Sequence, residues 1–249
     1  MINKQMPTVF LDTNIFKFAD FEKYKYIKEP HTVNWGGKDF EVMIDKTYRV
    51  SSLDKIKNIS QRKDATMIGL VAYGGVSKKI SLFTHKEVKY ELWGLKGGLW
   101  QPNLFGHSIP FVEDPHPEFE RILIGGGKTF KQNKQDFLQS IDHPRFIDLL
   151  KMTGAYQGKK PINVNQGLDA YHIWCAENSK IEYFLTMDNS LQRVVAQSKV
   201  KTNLKIVTPS ELLRDALPRL GFFSAMLFLW QGYRYAKPYI TLSKSSRKA

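Results

Sequence analysis

Acidic residues occupy several positions where this sequence otherwise places apolar ones. Asp12 follows the compact apolar run Thr8-Val9-Phe10-Leu11 and is followed by Thr13-Asn14. Asp188 ends the run Ile181-Glu182-Tyr183-Phe184-Leu185-Thr186-Met187. Asp169 lies in a stretch from Leu168 to Ala176 that is apolar nearly all round, as a helix buried against a sheet reads. Glu87 and Glu91 stand four apart on one face of a further helical stretch, and either one reaches such a site. Carboxylates drawn into contact cannot all stay ionised without a cation, and all-oxygen ligands of this kind suit Mg²⁺ or Mn²⁺. Each acid also has a plainer reading. Asp169 would complement a helix dipole, Asp188 would cap the next helix, and Glu91 would be a solvated helix charge. Placed together at the ends of core elements, they favour the metal site. Because crowded carboxylates repel, Asp12→Asn is expected to leave the metal-free chain at least as stable as the parent.

The elements that must position these acids follow from the apolar pattern. Strands near residues 8–11, 80–84, 181–187 and 204–207 alternate with helices, which is the pattern of an α/β fold with a parallel sheet. Ligands of such sheets bind outside the carboxyl ends of the strands, so Asp12 and Asp188 are expected side by side, with Asp169 in the first turn of its helix. A short helix is expected over 13–21 and a β-hairpin over 31–50, turning at Gly36-Gly37. Ser51 or Ser52 then caps a helix carrying Leu53, Ile56 and Ile59, and a second helix around Met67 to Ala72 stops at Gly74-Gly75. Residues 94–127, rich in Gly and Pro, read as a long excursion with one short helix at 117–124. Helices follow at 134–141, 144–152 and 190–197, with another from Thr208-Pro209. The apolar segment 220–230 is expected to bury itself as a helix against the domain or a second subunit.

The chain has 249 residues, a formal charge of +13 and a sequence pI near 9.6, which favours a polyanionic partner such as nucleic acid. Its 42% hydrophobic and 24% charged residues are those of a folded domain. The lone Cys175 excludes an intrachain disulfide, no apolar signal core opens the sequence, and no apolar run reaches membrane-spanning length. A cytoplasmic protein without a membrane partner is the expectation. After Asn189 cations outnumber acids and mix with Phe222, Phe223, Trp230 and Tyr233, a combination that suits single-stranded nucleic acid or core packing. Two apparent motifs are set aside. Gly125-Gly126-Gly127-Lys128-Thr129 lacks the first glycine of a phosphate loop, where Ile122 stands. His172 and Cys175 have no second metal-ligand pair, so His172 reads as a packed core histidine.

The ordered set Val9-Phe10-Leu11-Asp12-Thr13-Asn14, Thr84 with Glu91-Leu92, Gly167-Leu168-Asp169-Ala170 and Phe184-Leu185-Thr186-Met187-Asp188 resembles the PIN-domain nucleases. The resemblance implies an α/β/α sandwich that holds one or two Mg²⁺ or Mn²⁺ ions and hydrolyses phosphodiester bonds, most often in RNA. Carried over by position, Asp12, Glu91, Asp169 and Asp188 would be the metal ligands, with Asn14, Thr186 and Asn189 ordering them from behind. Asn189 and Ser190 stand where many members carry another acid, so a second metal would bind weakly or only with substrate. Lys78, Lys79, Lys86 and Lys89 are expected to flank the site and hold the scissile strand.

The chain is thus read as one PIN-like domain over residues 1–217, with insertions at about 22–79 and 94–161, followed by an apolar then basic extension at 218–249. The expected activity is that of a metal-dependent endoribonuclease. The alternatives are a non-catalytic RNA-binding scaffold on the same fold and a metal-dependent phosphatase of small substrates. Single-stranded DNA, an inhibitory partner protein of the toxin–antitoxin kind and a second copy of the chain are the further partners that this reading admits.

Overall fold

A computed structural model of the chain describes residues 6–19, 22–51, 53, 56–93, 102–115, 128–156, 158 and 162–241. The chain runs through β1 (Thr8–Leu11), α1 (Thr13–Ala19), β2 (Glu22–Trp35), β3 (Lys38–Ser51), α2 (Ile59–Val76), β4 (Ser81–Phe83) and α3 (Lys86–Trp93). It continues through β5 (Asn103–Leu104), β6 (His107–Ser108), α4 (Lys128–Ser140), α5 (Pro144–Met152), α6 (Val164–Asn178) and β7 (Tyr183–Leu185). It ends with α7 (Asn189–Gln197), β8 (Lys205–Val207), α8 (Pro209–Leu220) and α9 (Phe222–Thr241).

The central sheet has four parallel strands in the order β4-β1-β7-β8 and is flanked by helices, an α/β architecture. Its strands are short and almost wholly apolar because both faces are covered. Val9, Leu11, Leu82, Tyr183 and Leu185 point into one core, shared with α1, α2 and α8. Phe10 and Phe184 point into the other, shared with α4, α5 and α6, and their rings stack at 5.3 Å.

Several expected boundaries shift. The hairpin is longer than the predicted 31–50: β2 and β3 pair without a bulge from Glu22↔Ser51 to Trp35↔Lys38. The turn is where the glycines place it, with Gly36 at φ 62° and Gly37 at φ 77°, both values that a type I′ turn demands. Ser51 ends β3, and α2 starts eight residues later behind Asn58, whose side chain accepts from Gln61 N. Leu53 and Ile56 of the first expected helix precede α2, which begins at Ile59 and takes in the second. It ends at Val76, one residue past the expected stop at Gly74-Gly75, and those glycines also lie flush on the next strand: a Cβ at Gly74 would stand 2.7 Å from Ile80 Cδ1, and one at Gly75 2.8 Å from Leu82 Cδ1. Within 94–127 a small hairpin, β5 with β6, precedes a bridge between Phe111 and Thr84, while the predicted helix at 117–124 lies outside the described residues.

The α6 helix begins at Val164 behind the Asn163 cap, so Asp169 occupies its second turn rather than its first. The cause is the capping chemistry: Asn163 Oδ1 accepts from the N–H groups of Asn165 and Gln166. Thr208 and Glu211 close a reciprocal capping box at the start of α8, with proline in the first turn. The α9 helix packs on α2 rather than trailing from the domain. Phe228, Gly232 and Ala236 face α2, and Tyr73 Oη donates to Gln231 Oε1 at 2.5 Å. Its other face is bare, with Phe223 86% and Trp230 56% exposed, so the burial expected for 220–230 holds for one side only. No helix among the described residues is long and apolar enough to cross a membrane.

Candidate functional site

The chain leaves β1 toward β4 on one side of the sheet and later enters β7 on the other, so the carboxyl ends of β1 and β7 flank a crevice where the strand order reverses. Asp12 sits at that point. Its N–H donates to Leu185 C=O at 3.1 Å, continuing the pairing one step past the strand. Asp12 Oδ1 accepts from Thr13 N at 2.7 Å, and Oδ2 accepts from Thr186 Oγ1 at 2.8 Å. Thr186 Oγ1 in turn accepts from Asn14 Nδ2 at 2.9 Å and from Asp188 N at 3.1 Å. Asn14 Oδ1 accepts from Met187 N at 2.8 Å. Asn14 and Thr186 therefore lace the end of β1 to the turn after β7.

Asp169 brings the four acids into one electrostatic environment. Burial pushes its carboxyl well above the ordinary range, and the charges of Asp12, Glu91 and Asp188 push it further against an opposing pull from His172. Of the two α3 candidates, Glu91 is the one that faces Asp169. Glu87 is buried on the other side, among His85, Tyr171 and Cys175.

His172, which the sequence reading assigned to the core, lies inside the acidic group. Its Nδ1 is 3.7 Å from Asp12 Oδ1 and its Nε2 is 3.5 Å from Glu91 Oε1, long contacts that leave both ring nitrogens and Glu91 Oε1 buried without a hydrogen-bond partner. Burial disfavours its charge, but Asp12, Glu91 and Asp169 outweigh burial and raise its pKa. The signal was available: His172 is three residues after Asp169 and so shares its helix face.

Asp188 does cap the following helix. Its Oδ1 accepts from Ser190 N at 2.7 Å, Ser190 Oγ at 2.5 Å and Leu191 N at 3.2 Å. Asn189 is the exposed first residue of α7. Among the described residues, no three His, Cys, Asp or Glu side chains gather into a group that could hold a metal ion. The acids share a field without converging on one point.

The expected basic flank divides. Lys78 and Lys79 belong to the turn before β4, at the amino ends of the parallel strands, which is the edge opposite the acids. The reading failed there because neighbours in sequence on either side of a strand lie at opposite ends of the sheet. Lys86 Nζ pairs with Asp114 Oδ2 at 2.5 Å, and Lys89 is half-buried on α3. Asp114, which the sequence reading passed over, also accepts from His85 Nε2 at 3.0 Å and Tyr171 Oη at 2.8 Å. Burial pushes its carboxyl up, but the hydrogen bonds from His85, Lys86 and Tyr171 prevail and hold it far below the usual range. His85 Nδ1 accepts from Glu87 N at 3.1 Å, which leaves the proton on Nε2 for Asp114. This second polar cluster clamps the loop around Asp114 to α3 and α6, beside the acidic crevice.

A cavity of about 500 Å³ lined by Arg145, Glu177, Lys180, Ile181, Lys201, Asn203 and Leu204 lies near the starts of β7 and β8, again at the amino edge and apart from the acids. Arg145 is committed there, donating to both oxygens of Glu177 at 2.8 and 2.5 Å. Compared with known protein families, with curated proteins and with solved structures, the chain has no match.

Proposed function

We propose that the chain is a metal-dependent ribonuclease of PIN type whose centre is the crevice between the ends of β1 and β7. The observation that carries this reading is the placement of Asp12 and Glu91 on either side of the buried His172, 3.7 and 3.5 Å from its ring nitrogens, beside Asp169, whose carboxyl is raised by burial and then by the charges of Asp12, Glu91 and Asp188 that a cation would relieve. The donor set fits a hard divalent ion: carboxylate oxygens, with Glu91 Oε1 buried and unpartnered. Asp12, Glu91, Asp169 and Asp188 would hold Mg²⁺ or Mn²⁺. Such an ion supplies an acidified water and neutralises charge on phosphate oxygens. The chain itself fixes Asp12 through Thr13 N–H and the Thr186 hydroxyl, holds that hydroxyl through Asn14, and balances part of the acidic charge with His172.

A second reading, a non-catalytic RNA-binding module on the same scaffold, is favoured by the lack of a closed metal-holding group among the described residues and by the use of Asp188 Oδ1 as a helix cap. One experiment decides between them. Purified chain is incubated with structured and unstructured RNA in Mg²⁺, Mn²⁺ and EDTA, beside Asp188→Asn. The nuclease reading expects metal-dependent cleavage leaving 5′-phosphate ends and a loss on the order of 100-fold or more in the variant. RNA binding without cleavage in either metal establishes the module instead.

A further inference from the structure

Of the five buried side-chain polar atoms that lack a hydrogen-bond partner among the described residues, three meet at one place: both ring nitrogens of His172 and Oε1 of Glu91. A buried polar atom left unpaired bears the full cost of its lost hydration, so three together point to a partner that the side chains around them do not supply. His172 is 1% exposed on α6, and the Phe10 ring of β1 lies beside it at 5.9 Å between centroids. Neither nitrogen reaches water.

The two nitrogens face different carboxylates. Nε2 stands 3.5 Å from Glu91 Oε1 and Nδ1 stands 3.7 Å from Asp12 Oδ1, and neither contact is a hydrogen bond. Two donors bonded to one ion at about 2.1 Å stand roughly 3.0 Å apart at a right angle and roughly 3.4 Å apart at the tetrahedral angle. Nε2 and Glu91 Oε1 are thus spaced like two neighbouring donors of one coordination shell. The Asp12 side plays another part. Asp12 is already fixed by Thr13 N and Thr186 Oγ1, so it presents a rigid acceptor to the ring. A proton on Nδ1, toward Asp12, leaves the lone pair on Nε2, toward Glu91. This is the carboxylate–imidazole arrangement that orients metal-binding histidines.

We propose that His172 Nε2, beside Glu91, is a ligand of the ion that the crevice takes, and that this nitrogen makes the site prefer Mn²⁺ to Mg²⁺. The inference rests on the metal-site reading of the crevice and adds to its carboxylates a donor of another kind. Mg²⁺ keeps to oxygen ligands, whereas imidazole nitrogen suits ions of the first transition row. Among the described residues no third acid, histidine or cysteine is gathered with this pair, so the remaining positions fall to inward turns of the other crevice acids or to water.

The test reads metal binding by the full chain. Mn²⁺ added below one equivalent should show the nitrogen coupling of a ligated imidazole in pulsed electron paramagnetic resonance, and the coupling should change when the chain carries isotope-labelled histidine. Competition between the two ions should place the affinity for Mn²⁺ about tenfold or more above that for Mg²⁺. His172→Gln should lose the coupling and weaken Mn²⁺ binding roughly 10- to 100-fold, while Mg²⁺ binding changes less than about threefold. His143→Gln, at the other histidine with a buried unpartnered nitrogen, should keep the coupling. Bound Mn²⁺ without nitrogen coupling, equal affinity for the two ions, or a coupling that survives His172→Gln would each overturn the inference. If that variant does not fold, the labelled parent decides by its spectrum alone. RNA cleavage in either metal without nitrogen coupling leaves the nuclease reading standing and removes this inference; nitrogen coupling without cleavage does the reverse. Binding of neither ion removes both.

Discussion

Asp12 and Asp169 are both acids of the crevice, yet they respond oppositely to an amide. Thr186 Oγ1 already accepts from Asn14 Nδ2 and Asp188 N, so its own proton must go to Asp12 Oδ2 while Thr13 N–H occupies Oδ1. A carboxamide offers one acceptor atom for these two donors. Asp12→Asn therefore costs about 1–3 kcal/mol of stability, the reverse of the expectation from charge alone. Asp169 has no such tie and stands against three other acids. Its folded pKa lies above the unfolded value of about 4, so the folded state holds the extra proton, and parental stability falls as pH rises between the two values. Asp169→Asn removes that fall. In EDTA the variant should melt a few degrees above the parent at pH 8 and much closer to it at pH 4, and it should not cleave RNA. Equal melting at pH 8 would show that the crowding of charge is not there. Asp114 has the opposite sign: its folded pKa is depressed, so its contribution is complete above about pH 4 and is lost as pH falls below it. Asp114→Asn, which weakens the bonds to His85, Lys86 and Tyr171, should cost about 3 kcal/mol at neutral pH and flatten the acid limb of stability against pH. Thermal denaturation from pH 2.5 to 7 checks both effects.

At the scale of elements, the contact between α2 and α9 depends on missing side chains. A Cβ at Gly69 would stand 2.5 Å from Ala236 Cβ and 3.5 Å from Ala236 Cα, against a short side chain and backbone that cannot fold away. At Gly232 the nearest atom is the end of Leu70, 2.6 Å away, which can swing aside. Gly69→Ala should therefore destabilise by about 1–3 kcal/mol, lowering the melting temperature by roughly 5 °C, despite the better helix propensity of alanine. Gly232→Ala should cost less. If melting curves place the two in the reverse order, the helices do not approach as described. Glycines also show what was legible in the sequence and what was not. Gly36-Gly37 announces a turn by itself because both residues need positive φ, a local requirement. Gly74-Gly75 likewise marks the end of α2, which stops at Val76, but the proximity of Ile80 and Leu82 that also calls for glycine there is something no local pattern reveals.

For the whole molecule, the charge of +13 makes a prediction independent of where catalysis occurs. RNA affinity should fall steeply with salt, tenfold or more between about 50 and 200 mM, because each phosphate contact releases a counterion. A flat response in a filter-binding titration would remove nucleic acid as the partner.

The alternation of apolar strands with helices, the acid after each of the two central strands, and the charge balance are properties of the sequence alone, since each rests on periodicity or composition over a few residues. Tertiary structure decided what depends on the path of the chain between elements. Parallel connections carried Lys78 and Lys79 to the edge away from the acids and brought Asp114, from an irregular loop, against His85 and Tyr171. The pitch of α6 set His172 between Asp12 and Glu91, while Glu87, one turn before Glu91 on α3, falls beside His85 and Tyr171. The sequence marks 31–50 as a hairpin and leaves the aromatic residues after 220 open between core packing and nucleic-acid stacking, without saying which of these side chains the fold covers. Among the described residues no other element covers the side chains of 31–44 or the outer face of α9, so they stand in water.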